Sequence, residues 1–378
     1  MNNKFSNLLK LEFQQHASKY FNTASVGLPP ESALKKIKKH ISNPEKVGDI
    51  LDVMNMHLEA RKSASRIINT TPENIALTPN TSWGIGIALH SINLKKEDEI
   101  IIPENSFPSL YYSTIPLIDR GINVKLIKSN EGYVSPDDIK KNISKNTMCV
   151  IISWVNFKSG IINPAEEIAN LCKEKDIILI VDGIQIVGTR VVNIEDTGID
   201  FLAVGGQKWL LSPAGCGFLY ISNDLRSNIT PPFTGWLSVD RGERPYDLTN
   251  YDYKFYPDAR VFEVGTLPNA LLSGFARSIS LLEEVELKNI HIHSSEICKT
   301  IAEELSSSGF NLITPENHIG KTSIISFEID EERKHIMKTV VGKGYTFTLR
   351  EDYVRFSPHL YTSKEMAQEL IREIRSLV

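Results

Sequence analysis

The sequence predicts an α/β protein, with a large, mainly parallel sheet followed by a smaller α+β unit. Three observations support this class. Short apolar runs alternate with helical patterns through the first two thirds of the chain. The run 177–181 (IILIV) contains no polar residue, as is typical of a strand buried on both faces of a parallel sheet. A chain of 378 residues is also too long for one small core, which favours two domains.

The predicted elements of the larger unit follow in chain order. Strands are expected at the apolar or β-branched runs 98–103, 123–127, 147–155, 177–181, 201–204 and 217–221. One helical pattern lies near 109–117, and another covers 165–174, where Pro164 opens the helix at a position that proline favours. Strands separated by helices predict a largely parallel sheet with helices on both faces.

The pattern changes after about Asn269. The expected elements there are helices at 270–285 and 290–308, strands at 322–329 and 345–349, and a closing helix. This last helix is predicted from Ser363, because serine is a favoured cap and Glu365 lies in the first turn. With a boundary near 265–275, we predict an N-terminal segment (1–20), a large domain (21–268) and a small C-terminal domain (269–378).

Composition argues against several classes of protein. Lys and Arg number 42 against 46 Asp and Glu, and the resulting net charge of −4 argues against a nucleic-acid-binding protein, although a local basic patch stays open. No apolar run is long enough to span a membrane, and the first ten residues lack the apolar core of a secretory signal. The cysteines form no CxxC pair, so we expect no disulfide framework, no metal site and a cytoplasmic location. They are Cys149, Cys172, Cys216 and Cys298.

Two polar residues directly follow predicted strands. Parallel α/β sheets bind ligands at the carboxyl ends of their strands, so such residues are candidates for a site. Asp182 ends the run IILIVD, where a carboxylate could hold a cation or a protonated ring nitrogen, or could simply cap the next turn. Lys208 lies between glycine-bearing turns and apolar neighbours. Partial desolvation there would lower its pKa, as an amine nucleophile requires, although most loop lysines are solvated surface residues.

Two further segments are candidates for anion binding. The stretch 78–86 (TPNTSWGIG) places hydroxyls and glycines at the start of a helical pattern, which suits either a phosphate site or a plain helix cap. It matches neither the Walker A loop nor the dinucleotide fingerprint. Arg355, in the stretch 353–361 (YVRFSPHLY), could bind a carboxylate through both guanidinium nitrogens. A surface arginine is the alternative at that position.

The order of these motifs resembles that of pyridoxal-phosphate enzymes with the aspartate aminotransferase fold (fold type I). A hydroxyl-rich loop, an aromatic segment, a strand-end aspartate, a lysine 26 residues later (208 − 182) and a distal arginine follow one another. The local motifs resemble the class V aminotransferase family, which includes cysteine desulfurases, isopenicillin N epimerase-like proteins and kynureninases. The resemblance runs from about Tyr20 to Ser363. The matching stretches are 20–24, 80–82, 107–109, 153–160, 181–185, 207–209, 262–266 and 355–361.

The resemblance implies a role for each matching residue around the cofactor pyridoxal 5'-phosphate. Lys208 would form the Schiff base with the cofactor, Asp182 would pair with its pyridine nitrogen, and Gln185 would bond its ring hydroxyl. Thr81 and Ser82 would form the phosphate cup. These roles imply an enzyme in which one lysine and one acid act on opposite ends of the same ring.

Further roles implied by the resemblance concern the ring face, the partner subunit and the substrate. Phe107 would stack on the ring, and Thr266 would reach the phosphate from a second subunit, so a homodimer with shared active sites is expected. Arg355 would bind the carboxylate of an amino-acid substrate. Asn22 is a further candidate substrate contact, although a plain turn asparagine is equally common there.

Three departures from the family pattern bear on function. Gln207, which is itself a candidate cofactor-binding residue, stands before the lysine, where the family commonly has histidine. Gly205 replaces a hydroxyl residue that often touches the phosphate in desulfurases. Leu360 stands where the desulfurases have the cysteine that forms a persulfide, which disfavours thiol-mediated desulfuration.

The resemblance therefore implies an enzyme acting on an amino acid, most simply an aminotransferase. A cysteine-independent C–S or other β-lyase and an amino-acid epimerase are alternatives on the same cofactor, and a non-catalytic binding module is the alternative from another class. The substrate side chain is not predicted. The segment 230–254 is either part of the substrate entrance or a surface loop.

Overall fold

The computed structural model describes residues 8–9, 11–13, 18–43, 49–226, 229–242, 244, 246–247, 249, 251 and 253–378. Its strands are β1 (Ile75–Thr78), β2 (Glu99–Pro103), β3 (Asn123–Ile127), β4 (Thr147–Ser153), β5 (Ile178–Asp182), β6 (Phe201–Gly205), β7 (Gly217–Ile221), β8 (Val239–Asp240), β9 (Lys254–Phe255), β10 (Ile325–Glu328), β11 (Thr348–Leu349) and β12 (Tyr353–Phe356). Its α-helices are α1 (Glu31–Ile41), α2 (Ile50–Ile67), α3 (Thr81–Ser91), α4 (Ser109–Tyr112), α5 (Ile115–Ile118), α6 (Pro136–Asn142), α7 (Ala165–Glu174), α8 (Asn223–Arg226), α9 (Asn269–Val285), α10 (Leu287–Ser306), α11 (Glu331–Gly342) and α12 (Lys364–Arg375). In this part of the chain, no helix has both the length and the apolar character that crossing a bilayer requires.

A seven-stranded sheet forms the centre of the larger unit, in the order β1-β7-β6-β5-β4-β2-β3. Strands β6, β5, β4, β2 and β3 run parallel to one another, which confirms the predicted, mainly parallel sheet. Strand β7 is antiparallel to both β6 and β1. Alternate residues of β5 enter different apolar clusters: Leu179 and Val181 pack on one face, and Ile180 on the other. Burial on both faces explains why this strand has no polar alternation.

Most predicted elements lie within a few residues of their expected bounds, but the region 109–117 differs. The expected single helix is two short helices, α4 and α5. Pro116 lies in the first turn of α5 and has no N–H to donate to the carbonyl of Tyr112, so α4 cannot continue through it. The expected strand 147–155 ends at Ser153. The expected strands 322–329 and 345–349 contain the shorter strands β10 and β11.

The smaller unit has a three-stranded antiparallel sheet in the order β10-β12-β11. Apolar side chains of this sheet, α10, α11 and α12 form a cluster of their own, which includes Phe327, Val354 and Leu370. Helix α9 instead contributes Leu272 and Phe275 to the cluster of the large sheet. The domain boundaries at 20/21 and 268/269 stay predictions.

The N-terminal segment connects the two units near the carboxyl edge of the large sheet. Tyr20 and Asn22 form parallel bridges to Thr346 and Ser357. Further along, the N–H of Gly27 donates to the carbonyl of Gln207 over 2.7 Å. A Cβ on Gly27 would lie 2.0 Å from the carbonyl oxygen of Lys208, so only glycine permits this close approach.

Candidate active site

Asp182 lies at the carboxyl end of β5, between Ser153 of β4 and Ala203 of β6 in the strand register. Its carboxylate is buried, and Oδ1 accepts a hydrogen bond of 2.9 Å from the backbone N–H of Ile184. Burial raises the pKa of Asp182 to about 6, while that hydrogen bond and the charge of Lys208 act in the opposite direction. The carboxylate is therefore held where a positively charged partner would be favourable.

Lys208 lies in the loop that connects β6 to β7. The loop is closed by two backbone bonds, from Gly206 N–H to the carbonyl of Cys216 (2.8 Å) and from Ser212 N–H to the carbonyl of Gly206 (2.9 Å). Burial lowers the pKa of Lys208 to about 8, an effect that Asp182 opposes and Arg355 reinforces. Nucleophilic amine is thus available near neutral pH, and Lys208 is not a solvated surface lysine.

Gln185 follows Asp182 by three positions and is hydrogen-bonded to the residue after the lysine. Its Oε1 accepts a hydrogen bond from Trp209 Nε1 over 2.7 Å, and its Nε2 donates to the carbonyl of Ala24 over 3.1 Å. Gln185 and Trp209 are both buried. Since a primary amide has two N–H donors, one donor of Gln185 remains for a ligand.

The hydroxyl-rich stretch forms the first turn of α3, as expected. Asn80 is the cap, and its side chain accepts a hydrogen bond from Trp83 N–H. A Cβ on Gly205 would lie 2.5 Å from Gln207 Oε1 and 3.1 Å from Thr81 Oγ1, so these side chains converge on the end of β6. Free N–H groups at the start of an 11-residue helix suit an anion.

Arg355 lies on β12, the central strand of the small sheet, and is buried rather than exposed. Its Nη1 donates to the carbonyl of Phe157 over 2.5 Å, and its Nη2 donates to Ser25 Oγ (2.7 Å) and Thr348 Oγ1 (2.9 Å). Thr348 in turn donates to Asn22 Oδ1 over 2.7 Å. Burial lowers the pKa of Arg355 to about 10, which leaves the guanidinium charged at neutral pH.

Unpartnered buried atoms mark this region as a site for a ligand. Among the described residues, eight buried side-chain nitrogen or oxygen atoms have no hydrogen-bond partner. Five of them belong to segments of this edge: Thr78, Thr81, Ser153, Gln207 and Arg355. Buried polar groups are normally satisfied, so such a concentration indicates groups that a bound molecule would pair.

Three predicted residues lie at the margin of the site. Phe107 is 40% exposed, makes an edge contact with Phe157, and has its ring centroid 5.5 Å from Lys208 Nζ. Ser82 Oγ lies 2.8 Å from Ser109 Oγ. Thr266 is exposed on the loop before α9. Its role across a subunit interface, and the homodimer itself, stay predictions.

Segment 230–254 includes five residues (243, 245, 248, 250 and 252) outside the described ones.

Sequence reasoning missed several residues that the fold brings to the edge. Ser153 ends the strand next to Asp182, and the rule of polar residues after apolar runs could have found it. Trp209 and His359 have no such indication, because their hydrogen bonds and ring contacts join segments that are far apart in the chain.

The thiols of the chain lie away from solvent. All four cysteines are free and buried, and burial raises their pKa values. Leu360 is 1% exposed and packs in the core of the large sheet. No cysteine therefore occupies an accessible position that favours a reactive thiolate.

Comparison with known proteins places the chain in a family. The model for "Aminotransferase class-V" matches residues 33–349. A probable cysteine desulfurase of Methanothermobacter thermautotrophicus is 27% identical over 84% of each chain. An uncharacterized aminotransferase of Bacillus subtilis, YcbU, is 24% identical over 83% of this chain and 82% of its own.

Solved structures share the fold. The cystine C–S lyase C-DES, in complex with its product cysteine persulfide, superposes with a TM-score of 0.88 at 21% identity, covering 96% of this chain and 99% of its own. The cysteine desulfurase of Thermococcus onnurineus superposes with a TM-score of 0.86 at 22% identity, covering 99% of this chain and 98% of its own. The chain belongs to the class V aminotransferase family of pyridoxal-phosphate enzymes, as its motif order predicts.

Proposed function

We propose that this protein is a C–S lyase that cleaves a cysteine-type amino acid by β-elimination, without a thiol of its own. One observation carries the proposal: the site combines a half-buried lysine with a buried aspartate and a buried arginine, while every cysteine lies in a core. The names of the relatives favour C–S chemistry over transamination, the function that the sequence most simply implies. The aminotransferase and the epimerase become outcomes of the test.

Pyridoxal phosphate fits the unsatisfied groups at the edge of the sheet. We assign its pyridine nitrogen to Asp182, because a buried carboxylate gains from a cationic partner. Lys208 would bind its aldehyde and Gln185 its ring hydroxyl. The unpartnered Thr81 hydroxyl, with Ser82, would hold the phosphate at the start of α3. When bound, the cofactor supplies an electron sink for charge that develops at Cα.

Substrate orientation would depend on Arg355. Its Nε has no partner, and its Nη2 is fixed by Ser25 and Thr348. A guanidinium held in this way can bind the α-carboxylate of an amino acid with little loss of side-chain entropy. Asn22 accepts from Thr348 and so supports the same arrangement. Fixing the carboxylate determines which Cα bond faces Lys208.

Lys208 would then move the proton. Its amine removes the proton from Cα, the electron pair forms a Cα–Cβ double bond, and the Cβ–S bond breaks. Sulfur leaves with the bonding electrons as hydrosulfide, thiolate or persulfide, according to the substrate. A lysine with a pKa of about 8 is suited to this role near neutral pH. Hydrolysis of the remaining fragment gives pyruvate and ammonia.

Product analysis tests the proposal. The holoenzyme is incubated separately with cystine, cysteine, alanine and aspartate, and pyruvate, alanine, ammonia and sulfur products are quantified. We expect pyruvate and ammonia in equal amounts from cystine or cysteine. Alanine with bound persulfide would indicate thiol-mediated desulfuration, a keto acid with aminated cofactor would indicate transamination, and loss of optical activity alone would indicate epimerisation. Each of these three results contradicts the proposal.

Substitution of Lys208 tests whether the activity belongs to this site. Lys208→Ala should lose the visible cofactor band that borohydride bleaches, together with at least about 10³-fold in kcat. Lys140→Ala, at an exposed position on α6, is the matched control and should retain both. A borohydride-sensitive covalent band that persists in Lys208→Ala would remove the assignment.

A further inference from the structure

His359 is a buried histidine whose two ring nitrogens have different roles. Its Nδ1 accepts a hydrogen bond from the backbone N–H of Leu360 over 2.7 Å. Burial lowers the pKa of His359 to about 3, so the ring is neutral and carries one N–H. That N–H must be on Nε2, which lies 3.2 Å from the carbonyl oxygen of Trp209 and donates to it. The ring therefore reaches the backbone next to Lys208.

The same ring stacks with two aromatic rings. Its centroid is 5.7 Å from that of Trp209 with an interplanar angle of 26°, and 5.6 Å from that of Tyr361 with 22°. The Tyr361 hydroxyl is 2.7 Å from Thr23 Oγ1. All four of these residues are buried, so the stack holds the C-terminal segment against the loop of the lysine.

Trp209 links the aromatic stack to Gln185, a predicted cofactor-binding residue. Its Nε1 donates to Gln185 Oε1, and the amide of Gln185 is thereby turned so that Nε2 meets Ala24. Its carbonyl is also crowded by Gly188, where a Cβ would lie 2.5 Å from the oxygen. Movement of the Trp209 backbone would therefore move both Lys208 and the donor of Gln185.

We propose that His359 is a positioning residue for the cofactor: through its Nε2–H bond to Trp209 it sets the lysine loop and the amide of Gln185. His359 follows β12 by three residues, so it also places that loop relative to Arg355. It does not touch substrate or cofactor. The proposal concerns cofactor binding and does not depend on which reaction the enzyme catalyses.

Two substitutions separate this role from support of the local turn. In His359→Gln, the amide nitrogen can replace Nε2 as donor to Trp209. In His359→Asn, the shorter amide oxygen can replace Nδ1 as acceptor from Leu360, but the donor to Trp209 is lost. A positioning role predicts that the glutamine variant resembles the wild type, whereas a purely local role predicts the reverse.

The readouts are the Kd for pyridoxal phosphate of the cofactor-free full-length protein and the visible circular dichroism of the bound cofactor. We expect His359→Asn to weaken cofactor binding about tenfold and to reduce the dichroism, since one buried hydrogen bond is lost. His359→Gln should stay within about threefold of the wild type. Equal values for the two variants, or weaker binding by the glutamine variant, would overturn the proposal.

Two further variants control for general destabilisation. His293 is also buried and bonds the carbonyl of Thr362, in the same segment, over 2.7 Å. His293→Gln should lower Tm by an amount similar to His359→Asn without changing the dichroism. If the variants at 359 do not fold, Trp209→Phe provides the test. It keeps an aromatic ring in the stack but removes the donor to Gln185, and it should reduce the dichroism of the bound cofactor. An unchanged cofactor spectrum in Trp209→Phe contradicts the proposal.

Discussion

The strand-end half of the candidate site, at Asp182 and Lys208, and its C-terminal half, at Arg355 and His359, are assembled in different ways. The first half comes from adjacent strands of one sheet, whose carboxyl ends share an edge. The second half reaches that edge through bridges to the N-terminal segment and a buried aromatic stack. In the first half, two opposite charges each oppose the effect of burial on the other's pKa, whereas in the second half the buried charge of Arg355 is held by hydrogen bonds to neutral groups.

The largest expected effect is at Asp182. Asp182→Asn keeps an acceptor for Ile184 N–H but removes the charge proposed to face the pyridine nitrogen. We expect kcat to fall by about 10³-fold, with a changed visible spectrum. A variant with normal kcat would break the distinction between the two halves, because the strand-end half would then not control the cofactor.

The same substitution should stabilise the cofactor-free protein. The pKa of Asp182 is raised to about 6 in the folded state from 3.8, so the folded protein binds more protons between those values. The cost of the charged group is present above pH 6 and disappears as the pH falls toward 4. The free energy of unfolding of Asp182→Asn, measured in urea, should therefore exceed that of the wild type at pH 7 and converge with it near pH 4.

Arg355→Ala should affect substrate rather than cofactor. Loss of the guanidinium removes the proposed carboxylate partner, so we expect kcat/KM to fall about 10²-fold, mainly through KM. The amplitude of the resting visible band should be unchanged. If the band disappears instead, the C-terminal half holds the cofactor and the comparison is wrong. The control is Arg333→Ala, which removes an arginine whose ion pair with Asp330 is partly exposed to solvent.

The pH dependence of cofactor capture tests the strand-end half directly. Because burial lowers the pKa of Lys208 to about 8, the rate of covalent capture should rise with pH and level off just above 8. An ordinary lysine would continue to rise toward 10.5. In Asp182→Asn the plateau should begin at lower pH, since Asp182 raises the pKa of Lys208. Stopped-flow absorbance at several pH values measures both curves.

Smaller effects are expected at the phosphate end and at the contact between the units. Thr81→Ala should weaken cofactor binding about fivefold, the value of one hydrogen bond, with Thr300→Ala as control.

The ion pair between Lys158 and Asp352 (2.8 Å) links the loop after β4 to the small sheet. Asp352→Asn should change the free energy of unfolding by less than about 1 kcal/mol, because the carboxylate is mostly exposed. A larger change in either the unfolding energy or the cofactor spectrum would show that this contact, too, helps to place the C-terminal half.

The order of the strands from β2 to β7 was predictable because burial leaves a local pattern. The polar residues that end β4 and β5, and the lysine in the loop after β6, could be found, or in the case of Ser153 could have been found, by the same rule. Strand β1 was missed because four residues give little periodicity, and the antiparallel direction of β7 has no local pattern at all.

The sequence by itself determined the α/β class and the family, and it selected Lys208 and Asp182 as candidate site residues, since each follows from short-range pattern and motif order. Only the tertiary structure decided that Arg355 is buried, that Leu360 belongs to a core, and that His359 bonds the backbone of Trp209. Those contacts join residues 150 or more positions apart. Their geometry arises from packing between distant segments, and neither the spacing of residues nor the composition predicts which distant segments pack together.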